Sequence, residues 1–201
     1  MNAKLNRLMK NESGITALET AIILIAFVVV AAIFAFTVLS TGTFLTERSK
    51  EAAYAGLQEV RGSMELKGSM IAHSTAGVSV NYVAFTLSTV SGGSAVDLST
   101  GATAKVRVSY RDSTTNVDLA ATNGATGAAG QWVVNDCTNC QGANGAWILV
   151  PGALARIYAY LPGATATPNQ TFAIEVKPPT GGTMLMERTL PAMLDTMTDL
   201  H

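Results

Sequence analysis

From Ala21 to Leu39 the chain reads AIILIAFVVVAAIFAFTVL, nineteen residues of which Thr37 alone is polar. At 1.5 Å per residue a helix over this stretch covers about 28 Å, close to the roughly 30 Å hydrocarbon thickness of a bilayer. The stretch predicts a helix able to cross a membrane. Lys4, Arg7 and Lys10 precede it, and acidic and mixed residues follow Leu39, so the N-terminus is expected inside and everything after about residue 42 outside. A secretory signal peptide fits less well, because its apolar region runs about 7 to 15 residues and ends at a small-residue cleavage site. Leu39-Ser40-Thr41-Gly42 is a poor site of that kind. The ordinary alternative is a single-pass anchor.

Helical character continues past the apolar run. Thr43 to Arg61 is built from strong helix formers, with Phe44, Ala52, Ala53, Leu57 and Val60 recurring near helical spacing and charges between them. No proline occurs between residues 15 and 150. One continuous helix is expected from about Ile15 to about Arg61, with a kink at Gly42 and an end at Gly62. Its outer third is amphipathic, which predicts that a globular domain packs along the Leu57 and Val60 side.

After Gly62 the pattern changes to alternation. In Lys105 to Arg111 every second residue is apolar, as in a half-buried strand, and Phe172 to Lys177 repeats this. Val83 to Leu87, Gln131 to Val134, Ala146 to Val150 and Ala155 to Leu161 are further strand candidates. Turn residues separate them at Ser91 to Ser94, Asn123-Gly124, Asn144-Gly145 and Pro178-Pro179-Thr180-Gly181-Gly182. Seven or eight short strands argue an antiparallel sandwich or barrel, so the fold class is α+β: a long N-terminal apolar helix followed by a β-sandwich or barrel domain. The low-complexity stretch Ala120 to Gly130 reads as a mobile surface loop.

Composition narrows the function. Charged residues are 13% of the chain against a usual value of about 25%, and 48% are hydrophobic. Thirteen Lys and Arg stand against fourteen Asp and Glu without a basic cluster, which excludes a nucleic-acid partner. Two cysteines and two histidines leave catalysis or metal chemistry resting on His73, and nothing resembling a nucleophile elbow lies near it. No catalytic, cofactor or metal site is expected, and His73 reads as a surface residue.

A basic leader ending in Ser13-Gly14, followed by Ile15-Thr16-Ala17-Leu18-Glu19-Thr20 and the run from Ala21 to Ala32, closely resembles the start of the archaellins, the archaeal flagellins, and of their type IV pilin relatives. Phe172 to Thr189 is similar to the archaellin C-terminal region. The first match covers about 60 residues; the middle of the chain carries no family signature. Asn11-Glu12-Ser13 departs from the basic residue that many family leaders place just before the cut. The resemblance implies a leader of residues 1–14 cut between Gly14 and Ile15 by a preflagellin or prepilin peptidase, an assembly helix over 15–62 and an extracellular β-domain over 63–201. It also implies a precursor held in the cytoplasmic membrane, and a machinery with a membrane platform and an assembly ATPase. The product would be a helical homopolymer at the cell surface, with room for paralogous subunits. A structural subunit of the archaeal motility filament is the expected function; an adhesive type IV pilin is the near alternative. A membrane-anchored β-domain with binding or hydrolase activity is the alternative of another class.

Elementary physics supports the same arrangement. A helix this apolar must be buried all round once it leaves lipid, and a bundle of identical helices achieves that. Val28, Val29, Val30, Ile33, Phe34 and Phe36 are the expected packing residues. Loss of residues 1–14 removes three basic residues and one acidic residue, leaving ten and thirteen, a net charge of −3. The leader therefore holds the inside charges, and its removal releases the topological lock.

Glu19 is the only ionisable residue between Glu12 and Glu47. Thr16-Ala17-Leu18-Glu19 has the form of a capping box, worth on the order of 1 kcal/mol with the favourable charge at the helix start. The resemblance implies a second role, in which the Glu19 carboxylate pairs with the Ile15 ammonium of a neighbouring subunit. Cys137-Thr138-Asn139-Cys140 has the CxxC spacing without a surrounding redox or zinc pattern, so a small structural disulfide is the better reading, worth about 2 kcal/mol. Asn169-Gln170-Thr171 is an N-glycosylation acceptor in a turn-like stretch outside; Asn11-Glu12-Ser13 matches too but lies inside.

Overall fold

A computed structural model describes residues 12–75, 77–142, 145–163 and 166–200. Lys4, Arg7 and Lys10 of the expected leader, Asn11 of the first sequon and Asn144 of one expected turn lie outside the described residues. The chain divides into two compact units, Met1–Tyr54 and Ala55–His201.

Helix α1 spans Glu12–Arg61, 50 residues, or roughly 75 Å at the helical rise. It runs through Gly42 without a break, because a glycine costs a helix only about 1 kcal/mol and the neighbouring residues are good formers. It ends where predicted: Gly62 N–H donates to Gln58 O at 2.9 Å, and the Ser63 hydroxyl donates to Glu59 O at 3.2 Å. The expectation for the outer third is not met, since Leu57 is 57% and Val60 68% exposed. The charges interleaved with them, such as Glu59 and Arg61, give that face no continuous apolar stripe to bury.

Among the described residues the second unit has twelve strands: β1 Met64–Leu66, β2 Met70–Thr75, β3 Ser79–Thr89, β4 Val96–Asp97, β5 Arg107–Arg111, β6 Asn116–Ala121, β7 Gln131–Thr138, β8 Ile148–Leu149, β9 Leu154–Tyr160, β10 Thr171–Lys177, β11 Met184–Thr189 and β12 Met197–Leu200. This exceeds the seven or eight expected. The main sheet has the order β11-β10-β5-β6-β7-β9-β3-β2-β12, with β1 also paired to β3, while β4 and β8 form a small separate ribbon. The expected strand Ala146 to Val150 is thus reduced to Ile148 and Leu149. Every pairing in the main sheet is antiparallel except β6 with β7, which run parallel over Ala120–Gln131 and Ala121–Trp132. The sheet curls into a barrel-like form whose edge strands meet: Arg188 Nε on β11 donates to Leu200 O on β12 at 3.1 Å.

Alternation puts one face of each strand inside. Val108 and Tyr110 of β5 lie opposite Val176 and Ile174 of β10, all fully buried. Between β3 and β9 the core pairs large residues with small ones, Val83 with Ala159 and Leu87 with Ala155, which fills the curved interior. Trp132 likewise faces Ala159. The stretch from Ala120 to Gly130 is ordered rather than a free loop. Ala120 N–H donates to Gly130 O at 2.9 Å and Asn135 Nδ2 donates to Ala125 O at 3.1 Å; a Cβ on Gly127 would sit 2.9 Å from the Tyr160 ring.

Candidate assembly surface

Every residue of α1 from Gly14 to Arg61 is exposed. The expected packing residues are open to their surroundings, from 50% for Val29 to 71% for Phe36. Because Ile22 to Ile25 and Phe27 to Val30 are consecutive, and successive residues step about 100° around a helix, the apolar surface has no polar side. Among the described residues, α1 is the one helix long and apolar enough to cross a membrane.

Five threonines of this surface satisfy their own donors. The hydroxyls of Thr37, Thr41, Thr43 and Thr46 donate to the carbonyls of Phe34, Thr37, Ser40 and Gly42 at 2.8 to 2.9 Å, and Thr20 reaches Thr16 O at 3.0 Å. Each donation to a preceding turn removes a hydroxyl proton that would otherwise need water. Charge returns only with Glu47 and Arg48; the Arg48 guanidinium meets Glu51 at 3.0 Å and lies 5.2 Å from the Phe44 ring centroid.

At the expected leader junction, Gly14 and Ile15 are helical, and a Cβ at Gly14 would meet nothing within 4 Å. Packing gives no reason for glycine there. Thr16 and Glu19 also sit within the helix, four or more residues after its start at Glu12, so they do not cap that start.

The other end of α1 is held tightly. A Cβ on Gly62 would collide with the Thr180 carbonyl, and one on Gly93 would stand 2.9 Å from Arg61 O. Ser94 N–H donates to Arg61 O at 2.6 Å, and Gly182 N–H donates to the Ser63 hydroxyl at 3.1 Å. The Pro178 to Gly182 stretch, legible in sequence only as a turn, is one wall of a socket for the helix end. Its signal was the pair Gly181-Gly182, of which Gly181 has φ +105° in direct contact with Gly62.

Elsewhere the predicted sites are dispersed. Cys137 and Cys140 are paired, with Cα atoms 5.6 Å apart. Asn169 is exposed with φ +63°, in a turn where Gln170 N–H donates to Thr167 O at 3.2 Å. His73 is not a plain surface residue: it is half-buried on β2, its ring stacked on Tyr82 with centroids 4.6 Å apart, and its Nδ1 is buried without a hydrogen-bond partner among the described residues. Burial, with Tyr158 and Tyr160 beside it, raises the Tyr82 phenol above its ordinary value. Among the described residues no three His, Cys, Asp or Glu side chains come together as a metal site.

The archaeal-type flagellin family matches residues 14–188. A probable flagellin of Archaeoglobus fulgidus is 36% identical over 204 residues, covering 95% of this chain and 96% of that protein. One from Aeropyrum pernix is 34% identical over 209 residues, 94% of this chain and 97% of that protein. The solved archaeal flagellum of Methanospirillum hungatei is similar at a TM-score of 0.62 and 27% identity, over 91% of this chain and 97% of that one. The crystal structure of a flagellin from Methanocaldococcus jannaschii shares the fold at a TM-score of 0.53 and 14% identity, over 68% of this chain and 95% of that one.

Proposed function

Because the chain belongs to the archaeal-type flagellin family, it is a structural subunit of the archaeal motility filament, and we propose that α1 passes from the membrane into the filament core once the bond after Gly14 is cut. The observation that carries this reading is the helix itself: its Val28 to Phe36 surface is exposed on every side, a state that water does not tolerate and that only lipid or other apolar helices relieve. The adhesive pilin and the anchored binding or hydrolase domain are less well supported, since the matched family is one of flagellins.

The precursor sits in the cytoplasmic membrane with its basic leader inside. A peptidase of the preflagellin or prepilin class cuts after Gly14, where a residue without a side chain is not required by packing and suits recognition of the cut site instead. The cut exposes the Ile15 ammonium, which pairs with Glu19 of a neighbouring subunit, while Thr16 and Glu19 cap the new helix start. Val28, Val29, Val30, Ile33, Phe34 and Phe36 then bury against other copies, at about 1.5 to 3 kcal/mol for each fully buried side chain. Assembly draws on a membrane platform and an ATPase. The β-domain faces the outside, where the Cys137–Cys140 pair stays oxidised and Asn169 is open to glycosylation. Its role is structural, without catalysis.

Electron microscopy of cell-surface filaments, joined to amino-terminal sequencing of the purified filament protein, tests the reading. Filaments whose subunit begins at Ile15 are expected. Subunits that retain Met1 in assembled filaments would overturn it.

A further inference from the structure

The outer surface of the β-domain is of two kinds. On β5, β6 and β10 the outward residues Arg107, Arg111, Asp118, Glu175 and Lys177 are exposed and charged, a solvated face. On β2, β3, β9 and β12 the outward residues are mixed, with Thr75, Thr86, Arg156 and Asp199 among them, but an apolar and aromatic cluster lies at their centre. Ile71, His73, Tyr82, Ala84, Tyr158 and Met197 line a groove of about 360 Å³, with the Tyr82 ring centroid 4.9 Å from that of Tyr158 and Met197 67% exposed. Two cations border it. Lys67 is engaged by Glu65 at 2.8 Å, whereas Arg156 has no ion-pair partner among the described residues.

A tip of matching character stands at one end of the same domain. The turn between β2 and β3 and the segment before β12 are joined there: Ser74 N–H donates to Thr196 O at 3.1 Å, and a Cβ on Gly77 would lie 3.1 Å from Leu194 O. They carry Val78, 68% exposed, and Met193, 79% exposed. Asp195 beside them is exposed, and its carboxylate has no partner among the described residues. The tip is thus apolar with a free anion, and the groove is apolar with a free cation.

A filament is an open assembly, so each subunit must present two different surfaces that fit one another, unlike the single self-matching patch of a two-fold dimer. We propose that the groove of one subunit receives the Val78–Met193 tip of a second copy in the filament, with Asp195 of that copy against Arg156. The pairing explains why the domain leaves an aromatic and apolar cluster open on this face, around Tyr82, Tyr158 and Met197. It also assigns the half-buried His73 ring to an interface floor. The proposal rests on the filament reading above.

Charge exchange tests it. Arg156→Glu and Asp195→Arg alter exposed side chains and leave the core untouched. Each alone is expected to lower the temperature at which isolated filaments dissociate, and the double variant to restore it toward wild type. Single variants indistinguishable from wild type, or a double variant no better than the worse single, would overturn the pairing. Independently, filaments carrying both Met193→Cys and Ala84→Cys are expected to give a ladder of oxidised multimers that neither single variant gives; absence of the ladder would overturn the seating. If the wild-type chain formed no filament at all, the filament reading itself would fail, a different result from either of these.

Discussion

Three glycines of the same chain face opposite demands. Gly14 and Gly42 stand in open space on a helix, whereas any Cβ at Gly62 drives into the Thr180 carbonyl of the socket. Gly62→Ala is expected to destabilise the β-domain by about 1 to 3 kcal/mol, because backbone on both sides must move. Gly42→Ala, adding helix propensity where nothing is in the way, is the control expected to do no harm. Urea unfolding of the detergent-held subunit, followed by fluorescence of the buried Trp132, should show a lower midpoint for the first and not the second. Glu19 is the other residue whose environment decides its role. Glu19→Gln keeps most of the capping hydrogen bonding and removes the charge, so the variant should be cut at Gly14 yet assemble poorly or with an altered subunit rise. Filaments of normal number, length and symmetry would leave only the cap.

At the scale of elements, the helix should be intolerant of charge in its apolar half. Val30→Asp or Phe34→Lys is expected to abolish filaments on cells while circular dichroism of the detergent-held subunit keeps its β signal, since these side chains take no part in the barrel interior. Normal filaments from either variant would show that this surface is no interface. The helix was the most legible element because nineteen consecutive residues agree on one answer. Strands β5 and β10 were legible because Val108, Tyr110, Phe172, Ile174 and Val176 alternate with polar residues or, at Ala173, a small one. Strand β2 was not. It buries Met70, Ala72 and Ser74 and turns Ile71 outward, so small and polar residues occupy the core positions and the sequence alternation reads the wrong way round. Strand β12 buries only Leu200 of its four residues, too little signal for a pattern. The socket was only half legible for a related reason: Gly181-Gly182 marks a turn, but Pro178 to Gly182 and the turn at Gly93 meet the helix end only through long-range closure of the sheet, which no local window contains.

The whole molecule joins a barrel-like domain that carries its own core to a helix that has none. The β-domain is where the proposed glycan would be carried. Intact-mass analysis of filament protein is expected to show a chain starting at Ile15 with added mass that maps to the Asn169 peptide; a mass equal to the bare processed chain would remove the glycan and leave the fold unaffected. The parallel contact of β6 with β7 and the closure of β11 on β12 through Arg188 were beyond sequence reasoning, because register across a barrel is set by which strands are brought together and not by what any one of them contains. The full exposure of α1 carries a kinetic corollary. On the proposed assembly route a processed subunit would have no comfortable free form in water, so no dissolved reserve of monomers would equilibrate with the distal end of a filament. Growth would then have to be fed from the membrane, and a length sheared from the far end would be lost to the cell, since its pieces could neither dissolve nor be threaded back.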